Sequence, residues 1–327
     1  MMNRIGYIDL AKGVGIILVI LGHGLLQNFA IEVFHMPLFF FLAGLTFTPP
    51  TTTNGSLGVF VLKKFNRIFI PWVFFSLVSG IAEWILGRIS EDAEFNGPLW
   101  FLPTLLTAVV FYTTIHLKVE SKLALNAIVF TFPFVAYALY KYTDVPSILP
   151  FDVIRALEAT FYMHLGYSYR TSRLANGGRA ILMGSVFVYA ACVYVSMRNY
   201  DVHGVHFYNG STYTYSLVLP IVASVTAIYS VISLCRNAKR IQLINWMGAN
   251  SLVIYGFHFP IQERLNQVVF YFFTNLHITS FPAKLLIVLV AYFITVVTSS
   301  MIAITCKKYI PKLTGYSSLI PIINEHK

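Results

Sequence analysis

Charge is scarce in this 327-residue chain: 11% of its residues are Asp, Glu, Lys or Arg, against about 25% in an ordinary soluble domain. Acids are scarcer still, 13 against 23 bases, for a formal net charge of +10. With 57% hydrophobic residues and a mean hydropathy of +0.70, so little charge excludes a soluble globular protein. Cysteine is nearly absent too. Cys192, Cys235 and Cys306 lie in or beside apolar runs without Cys-x-x-Cys spacing, which excludes a disulfide framework or a zinc site built on thiols. The sequence shows no clear internal repeat and no stretch that reads as a soluble domain. The first apolar run lacks a basic leader and a small-x-small cleavage pattern, so it is expected to be a retained span. The basic residues form short clusters between apolar runs, a pattern of membrane topology and not of a nucleic-acid surface.

What is present is a succession of apolar runs. Taking roughly 20 mostly apolar residues per span, we predict an all-α polytopic membrane protein forming a single domain over 1–327. About ten transmembrane helices are expected, at 5–27, 33–48, 68–88, 98–116, 123–141, 153–170, 180–199, 213–235, 246–262 and 283–306. The second and ninth are short and polar and are expected to be tilted or broken. With the N-terminus inside, 16 of the 23 basic residues fall on the inner side and six on the outer, leaving Lys12 within a span. The Lys/Arg bias therefore predicts two cytoplasmic termini. Glu91, Asp92, Glu94, Asp144, Asp152 and Asp201 then fall in outer loops.

Lys12 is the exception that points to chemistry. An ionisable residue inside a bilayer is costly and needs a partner or a wet cavity. Asp9 precedes Lys12 by three residues, close enough for an ion pair on one helix. His23 follows Lys12 by eleven residues, which at about 100° per residue is three turns plus about 20°. The three share one stripe, with Lys12 and His23 about 16 Å apart along the axis. Asp9 and Lys12 read either as a neutralising structural pair or as part of a site, and His23 either as an interfacial histidine or as a base.

The surroundings favour a site. Glu32 and His35 open the second span at the level of His23. Trp100, then Arg155 and Glu158, and His258 in Tyr255-Gly-Phe-His258 reach the same outer layer. A cluster of His, Glu, Arg and Trp there is suited to acid–base chemistry. On the inner side, Lys63-Lys-Phe-Asn-Arg67 and Arg236-Asn-Ala-Lys-Arg240 could hold phosphates or serve topology alone. A long donor held from inside could reach the outer histidine along the stripe. Arg155 and Glu158, one turn apart, read as a structural pair or as an acceptor clamp. His116 and His164 read as structural, and His203 with His206 offers only two ligands, too few for a metal site. The Asn-x-Ser patterns at Asn54 and Asn209 add nothing firm.

Five stretches taken together resemble the acyltransferase-3 family of membrane O-acyltransferases. Lys12-x10-His23 is similar to the family's basic-x10-His signature, with Asp9 in its usual surroundings. Phe34-His-Met-Pro-Leu-Phe-Phe-Phe-Leu-Ala-Gly44 is similar to the second-span motif, and Lys64-Phe-Asn-Arg67 before Ile-Phe-Ile-Pro71 to the basic-x-x-Arg loop. Gly97-Pro-Leu-Trp-Phe-Leu102 and Gly248-Ala-Asn-Ser-Leu-Val-Ile-Tyr-Gly-Phe-His258 are similar to later landmarks. Within the family the likeness is greatest to the fucose 4-O-acetylase-like branch. Phe101-Leu-Pro-Thr-Leu105 departs from relatives that carry acids after this Trp, and no extracytoplasmic hydrolase-like domain is appended.

The resemblance implies transfer of an acyl group, most simply acetyl, from cytoplasmic acetyl-CoA to a hydroxyl of a surface or lipid-linked polysaccharide. The setting implied is a bacterial cytoplasmic (inner) membrane. Acetyl-CoA would act as co-substrate without a metal; the partners would be the glycan and membrane lipids, with no nucleic acid. His23 would be the catalytic residue, as a base or through an acyl-histidine intermediate, with Lys12 and its partner Asp9 beside the donor. Lys64 and Arg67, with Lys63, would meet the CoA phosphates. His35, Glu32, Trp100, Glu158, Arg155 and His258 would line the acceptor side. The charges alone fit a rival equally well, a transporter relaying protons through Asp9, Lys12 and His23. A structural partner in polysaccharide assembly is a third reading.

Overall fold

The computed structural model describes residues 6–24, 29–50, 57–85, 97–142, 153–172, 177–199, 218–275, 277–278 and 280–321. Thirteen α-helices run in order: α1 Gly6–Gly22, α2 Phe29–Glu32, α3 His35–Leu45, α4 Leu57–Lys64, α5 Ile70–Ile85, α6 Phe101–Lys118, α7 Lys122–Tyr142, α8 Val153–Tyr169, α9 Arg179–Asn199, α10 Val218–Asn237, α11 Gln242–Ala249, α12 Ser251–Asn275 and α13 Phe281–Tyr309. No strand occurs among the described residues. Among the described residues, each predicted apolar run contains helix. The loops carrying Glu91, Asp92, Glu94, Asp144, Asp152, Asp201, His203 and His206, and the Asn54 and Asn209 patterns, lie outside the described residues, as do Arg4, Arg88, Arg173 and Lys327.

Six helical stretches are long and apolar enough to cross a membrane: Leu57–Ala82, Phe101–Lys118, Lys122–Tyr142, Arg179–Arg198, Val218–Asn237 and Phe281–Tyr309. Several of them present large apolar side chains outward, such as Leu123, Phe134, Met183, Phe187, Phe293 and Met301. That is a bilayer-facing surface, since lipid imposes no penalty on exposed hydrocarbon. The expected first, second, sixth and ninth spans are not among the six. Their helices are shorter or more polar, and they occupy the middle: α1 packs against α3, α10, α11, α12 and α13, and α3 packs along α8. Eleven of the seventeen residues of α8 are buried, Glu158, Thr160 and His164 among them.

Glycines set how closely these central helices approach. A Cβ added at Gly13 would meet the Ile244 carbonyl oxygen at 2.0 Å, and one at Gly248 the Asp9 oxygen at 1.8 Å. The α3–α8 crossing repeats the device: an added Cβ at Gly44 would lie 1.8 Å from the Met163 oxygen and one at Gly166 2.0 Å from the Phe41 oxygen. Small residues permit this backbone contact, the main source of helix affinity where water provides no hydrophobic drive.

Three irregularities complete the frame. The second run holds α3, preceded by the short α2 and joined to it through Val33 and Phe34; Pro37, in the first turn of α3, needs no amide partner there. The ninth is broken at Asn250 between α11 and α12, and the second piece continues to Asn275, well past the expected end at 262. The third begins eleven residues before its expected start, because α4 continues into α5 through a π turn at Phe65–Phe69. Pro71 explains the turn: it has no amide to give to the Arg67 carbonyl four residues earlier, and its ring crowds that carbonyl.

Gly44→Ala and Gly248→Ala should each lower the melting temperature of detergent-solubilised protein, by the roughly 1–3 kcal/mol that overpacking costs. Gly184→Ala, where an added Cβ meets nothing within 4 Å, should be neutral or slightly stabilising.

Candidate active site

The C-terminal end of α1 has unusual capping. A helix leaves its last carbonyls without internal partners, and here side chains take them. Val19 O accepts from the His23 amide at 3.1 Å and from His23 Nδ1 at 2.8 Å. Ile20 O accepts from Gln262 Nε2 of α12 at 2.7 Å, and Leu21 O from the Tyr292 hydroxyl of α13 at 3.4 Å. Gly24 leaves room for both, since a Cβ there would lie 2.2 Å from the Tyr292 hydroxyl and 2.5 Å from Gln262 Nε2. Sequence reading missed Gln262 and Tyr292. Gln262 lies four residues after His258 and so on the same face of a helix, which is the one signal that could have pointed to it.

Around His23 the fold gathers two more histidines from separate elements. The His23 ring is edge-on to His35 at 6.0 Å, to His258 at 5.2 Å and to Phe259 at 5.7 Å between centroids. Each histidine is oriented alike: His35 Nδ1 bonds Ile31 O at 3.0 Å, and His258 Nδ1 bonds Tyr255 O at 2.7 Å. A carbonyl oxygen only accepts, so Nδ1 carries the proton in all three. In a neutral ring Nε2 then keeps its lone pair, the state a proton acceptor needs. His35 and His258 are buried, whereas His23 is part-exposed. Among the described residues no group of His, Cys, Asp and Glu could hold a metal ion.

Near the middle of α1 lies a cleft of about 230 Å³. Lys12 of α1 lines it together with Lys64 and Arg67, contributed across the π turn. The other walls include Phe39 and Thr46, Phe101 and Leu105, and Ser251, Leu252 and Tyr255. Lys12 thus shares one space with a basic pair remote from it in sequence. Lys63 does not join them: it is exposed on α4, because neighbouring helical residues point about 100° apart. Asp9 is buried beside the α1–α11 crossing and is absent from the cleft wall. Tyr255 connects cleft and histidines, since it lines the former and its ring lies 5.7 Å from that of His258. In the sequence Tyr255 stands out only as part of the Gly248–His258 motif.

Of the side chains expected on the acceptor side, Trp100 and Arg155 are part-exposed, and the Arg155 guanidinium lies over the Trp100 ring at 5.2 Å. Glu32, His35, Glu158 and His258 are all interior, with His258 fully buried. His35 and His258 back onto His23, and α2, α3, α8 and α12 each turn these four positions toward neighbouring helices. His164 is held structurally: its Nε2 donates to Asn126 Oδ1 at 2.9 Å, and its Nδ1 accepts from the Tyr112 hydroxyl at 3.1 Å.

A buried polar cluster and a basic cleft thus stand side by side within this apolar helical bundle. The sequence model of the acyltransferase domain family matches residues 5–305. The chain belongs to the acyltransferase-3 family and is an integral-membrane acyltransferase. That membership sets aside the proton-relay transporter. No curated protein and no solved structure matches the chain.

Gln262→Leu should leave the Ile20 carbonyl without its partner, at a cost of about 1–3 kcal/mol. Hydrogen exchange should then quicken at the amides of residues 19–24, with exchange across α7 and α9 unchanged.

Proposed function

We propose that the protein is an O-acetyltransferase that moves an acetyl group from cytoplasmic acetyl-CoA to a sugar hydroxyl of a surface or lipid-linked polysaccharide. The observation that carries this reading is the basic cleft. Lys12, Lys64 and Arg67 line one space, and Tyr255 joins that space to the histidine cluster. Three cations suit phosphate oxygens. The cleft is smaller than the roughly 300–1,000 Å³ of a drug-sized ligand site, so it suits the diphosphate and the start of the pantetheine arm. The remainder of the donor would lie outside it.

The chemistry assigned to His23 follows from its tautomer and access. It alone of the three histidines is part-exposed, and Nδ1 is committed to Val19 O. Nε2 takes the proton of the sugar hydroxyl as that oxygen attacks the thioester carbonyl. The C–S bond breaks, the ester forms, and the proton passes to the departing thiolate. Burial of His35 and His258 keeps water from one flank of this centre, which limits hydrolysis of the donor. Trp100 and Arg155 offer an aromatic face and a cation for the acceptor. Asp9 acts by supporting Lys12 electrostatically, and Lys63 is left a topological role. Ten crossings with both termini cytoplasmic would put the cleft inside and His23 near the outer surface of a bacterial cytoplasmic membrane. The fucose 4-O-acetylase-like branch is the subgroup this reading favours.

His23→Ala should lower acetyl transfer by at least about 100-fold, the range of a lost general base, while the protein still folds and binds CoA. Mass spectrometry of acetyl esters on the surface glycan reads this directly. Ordinary acetylation by a well-expressed variant would overturn the role of His23. Lys64→Ala with Arg67→Ala should instead raise the KM for acetyl-CoA, and unchanged donor affinity would remove these two from the site.

A further inference from the structure

The chain continues beyond α13, and residues 310–321 pack against the π turn and the Asn250 break that bound the basic cleft. Their anchor is Asn66, inside the π turn and 1% exposed. Its Oδ1 accepts from the amides of Leu319 at 2.8 Å and Ile320 at 2.9 Å. Its Nδ2 donates to Ile320 O at 3.1 Å and to Leu62 O at 3.0 Å. One buried side chain therefore uses both its ends to hold a segment more than 250 positions away.

The same segment reaches the second irregularity that frames the cleft. The Tyr316 hydroxyl donates to Asn250 Oδ1 at 2.7 Å, and Asn250 Nδ2 bonds Trp246 O at 2.7 Å. Burial pushes the Tyr316 hydroxyl up to about 12, so it stays a donor at any ordinary pH. Between these contacts Gly315 adopts φ +77, and a Cβ there would lie 3.1 Å from Pro71 and 3.5 Å from the Arg67 carbonyl oxygen. That is the carbonyl Pro71 leaves without its helical partner. Only glycine takes this backbone conformation at no steric cost.

We propose that Asn66 is a positioning residue for the donor cleft, acting through a strap formed by residues 310–321. The strap ties the π turn, which carries Lys64 and Arg67 on either side of Asn66, to the Asn250 break, which is followed at once by Ser251 and Leu252 of the opposite wall. A π turn and a helix break are the points where a wall can shift, because neither has a continuous ladder of backbone bonds. Linking them fixes the spacing of the cations across the cleft. The inference rests on the reading that the cleft holds the CoA donor.

The test uses the full chain in detergent, with CoA as the titrated ligand and acetyl-CoA as the varied substrate. Asn66→Ala should weaken CoA binding and raise the donor KM roughly tenfold, equivalent to about 1.4 kcal/mol of lost binding, with kcat at saturating donor within about twofold. Tyr316→Phe, a milder lesion expected to fold even if Asn66→Ala does not, should move the same constants in the same direction by less. His23→Ala should leave CoA affinity intact. A merely structural role would lower the melting temperature without separating KM from kcat. If the wild type binds CoA and both folded variants bind it equally well, the strap has no part in donor binding and the inference falls alone; if only Tyr316→Phe folds, its unchanged affinity has the same force. If the wild-type protein binds no CoA, the donor reading of the cleft falls and takes this inference with it.

Discussion

A polar stripe that cannot face hydrocarbon governs the architecture. Asp9, Lys12 and His23 lie along one helix, and in lipid each would lack a partner at a cost of several kcal/mol. The fold resolves this by placing α1 in the middle, in contact with α3, α10, α11, α12 and α13, and by giving each polar group a distinct setting. Asp9 is buried at a close helix crossing, Lys12 opens into a cleft, and His23 ends the helix beside two other histidines. The strongly apolar helices are left to the periphery. Glycines at both central crossings make the arrangement compact, since backbone-to-backbone contact at Gly13, Gly248, Gly44 and Gly166 leaves no room for even a methyl group.

The site is built where regular helix fails. The α2–α3 junction sets His35 against α1, the π turn before Pro71 supplies Lys64 and Arg67, and the Asn250 break begins the wall containing Ser251, Leu252 and Tyr255. Each irregularity frees backbone groups that must be satisfied inside the bundle. Asn66, Asn250, Gln262 and the histidine Nδ1 atoms perform that service. The hydrogen bonds that settle the backbone also settle the tautomer of the histidines, so structural and chemical roles share the same atoms.

Much of this was legible along the chain. The apolar runs became helices because hydropathy and length are local properties. The Lys12–His23 stripe followed from helical periodicity, and of the two short, polar runs expected to be tilted or broken, the ninth is broken at Asn250, while the second holds the single helix His35–Leu45. The placement of Lys64 and Arg67 with Lys12 in one cleft fits the donor role that the family resemblance implied for them. Other features were not legible, for a common reason. Lys63 points away from the cleft although it adjoins Lys64, and Glu32, Glu158 and His258 are interior although their outer-end positions suggested access. Which face of a helix meets a neighbour depends on how the helices are packed, and a single sequence does not record that.

By itself, then, the sequence determined the helical class, the membrane setting, the stripe on α1 and the motifs of the acyltransferase-3 family, because each depends on composition or on spacing within one element. Only the tertiary structure decided which cations share a space, which histidine is reachable, how Gln262 and Tyr292 finish α1, and that Asn66 holds the end of the chain. Those are relations between segments as far apart as Asn66 and Ile320, and they exist only once helix packing has brought the segments together.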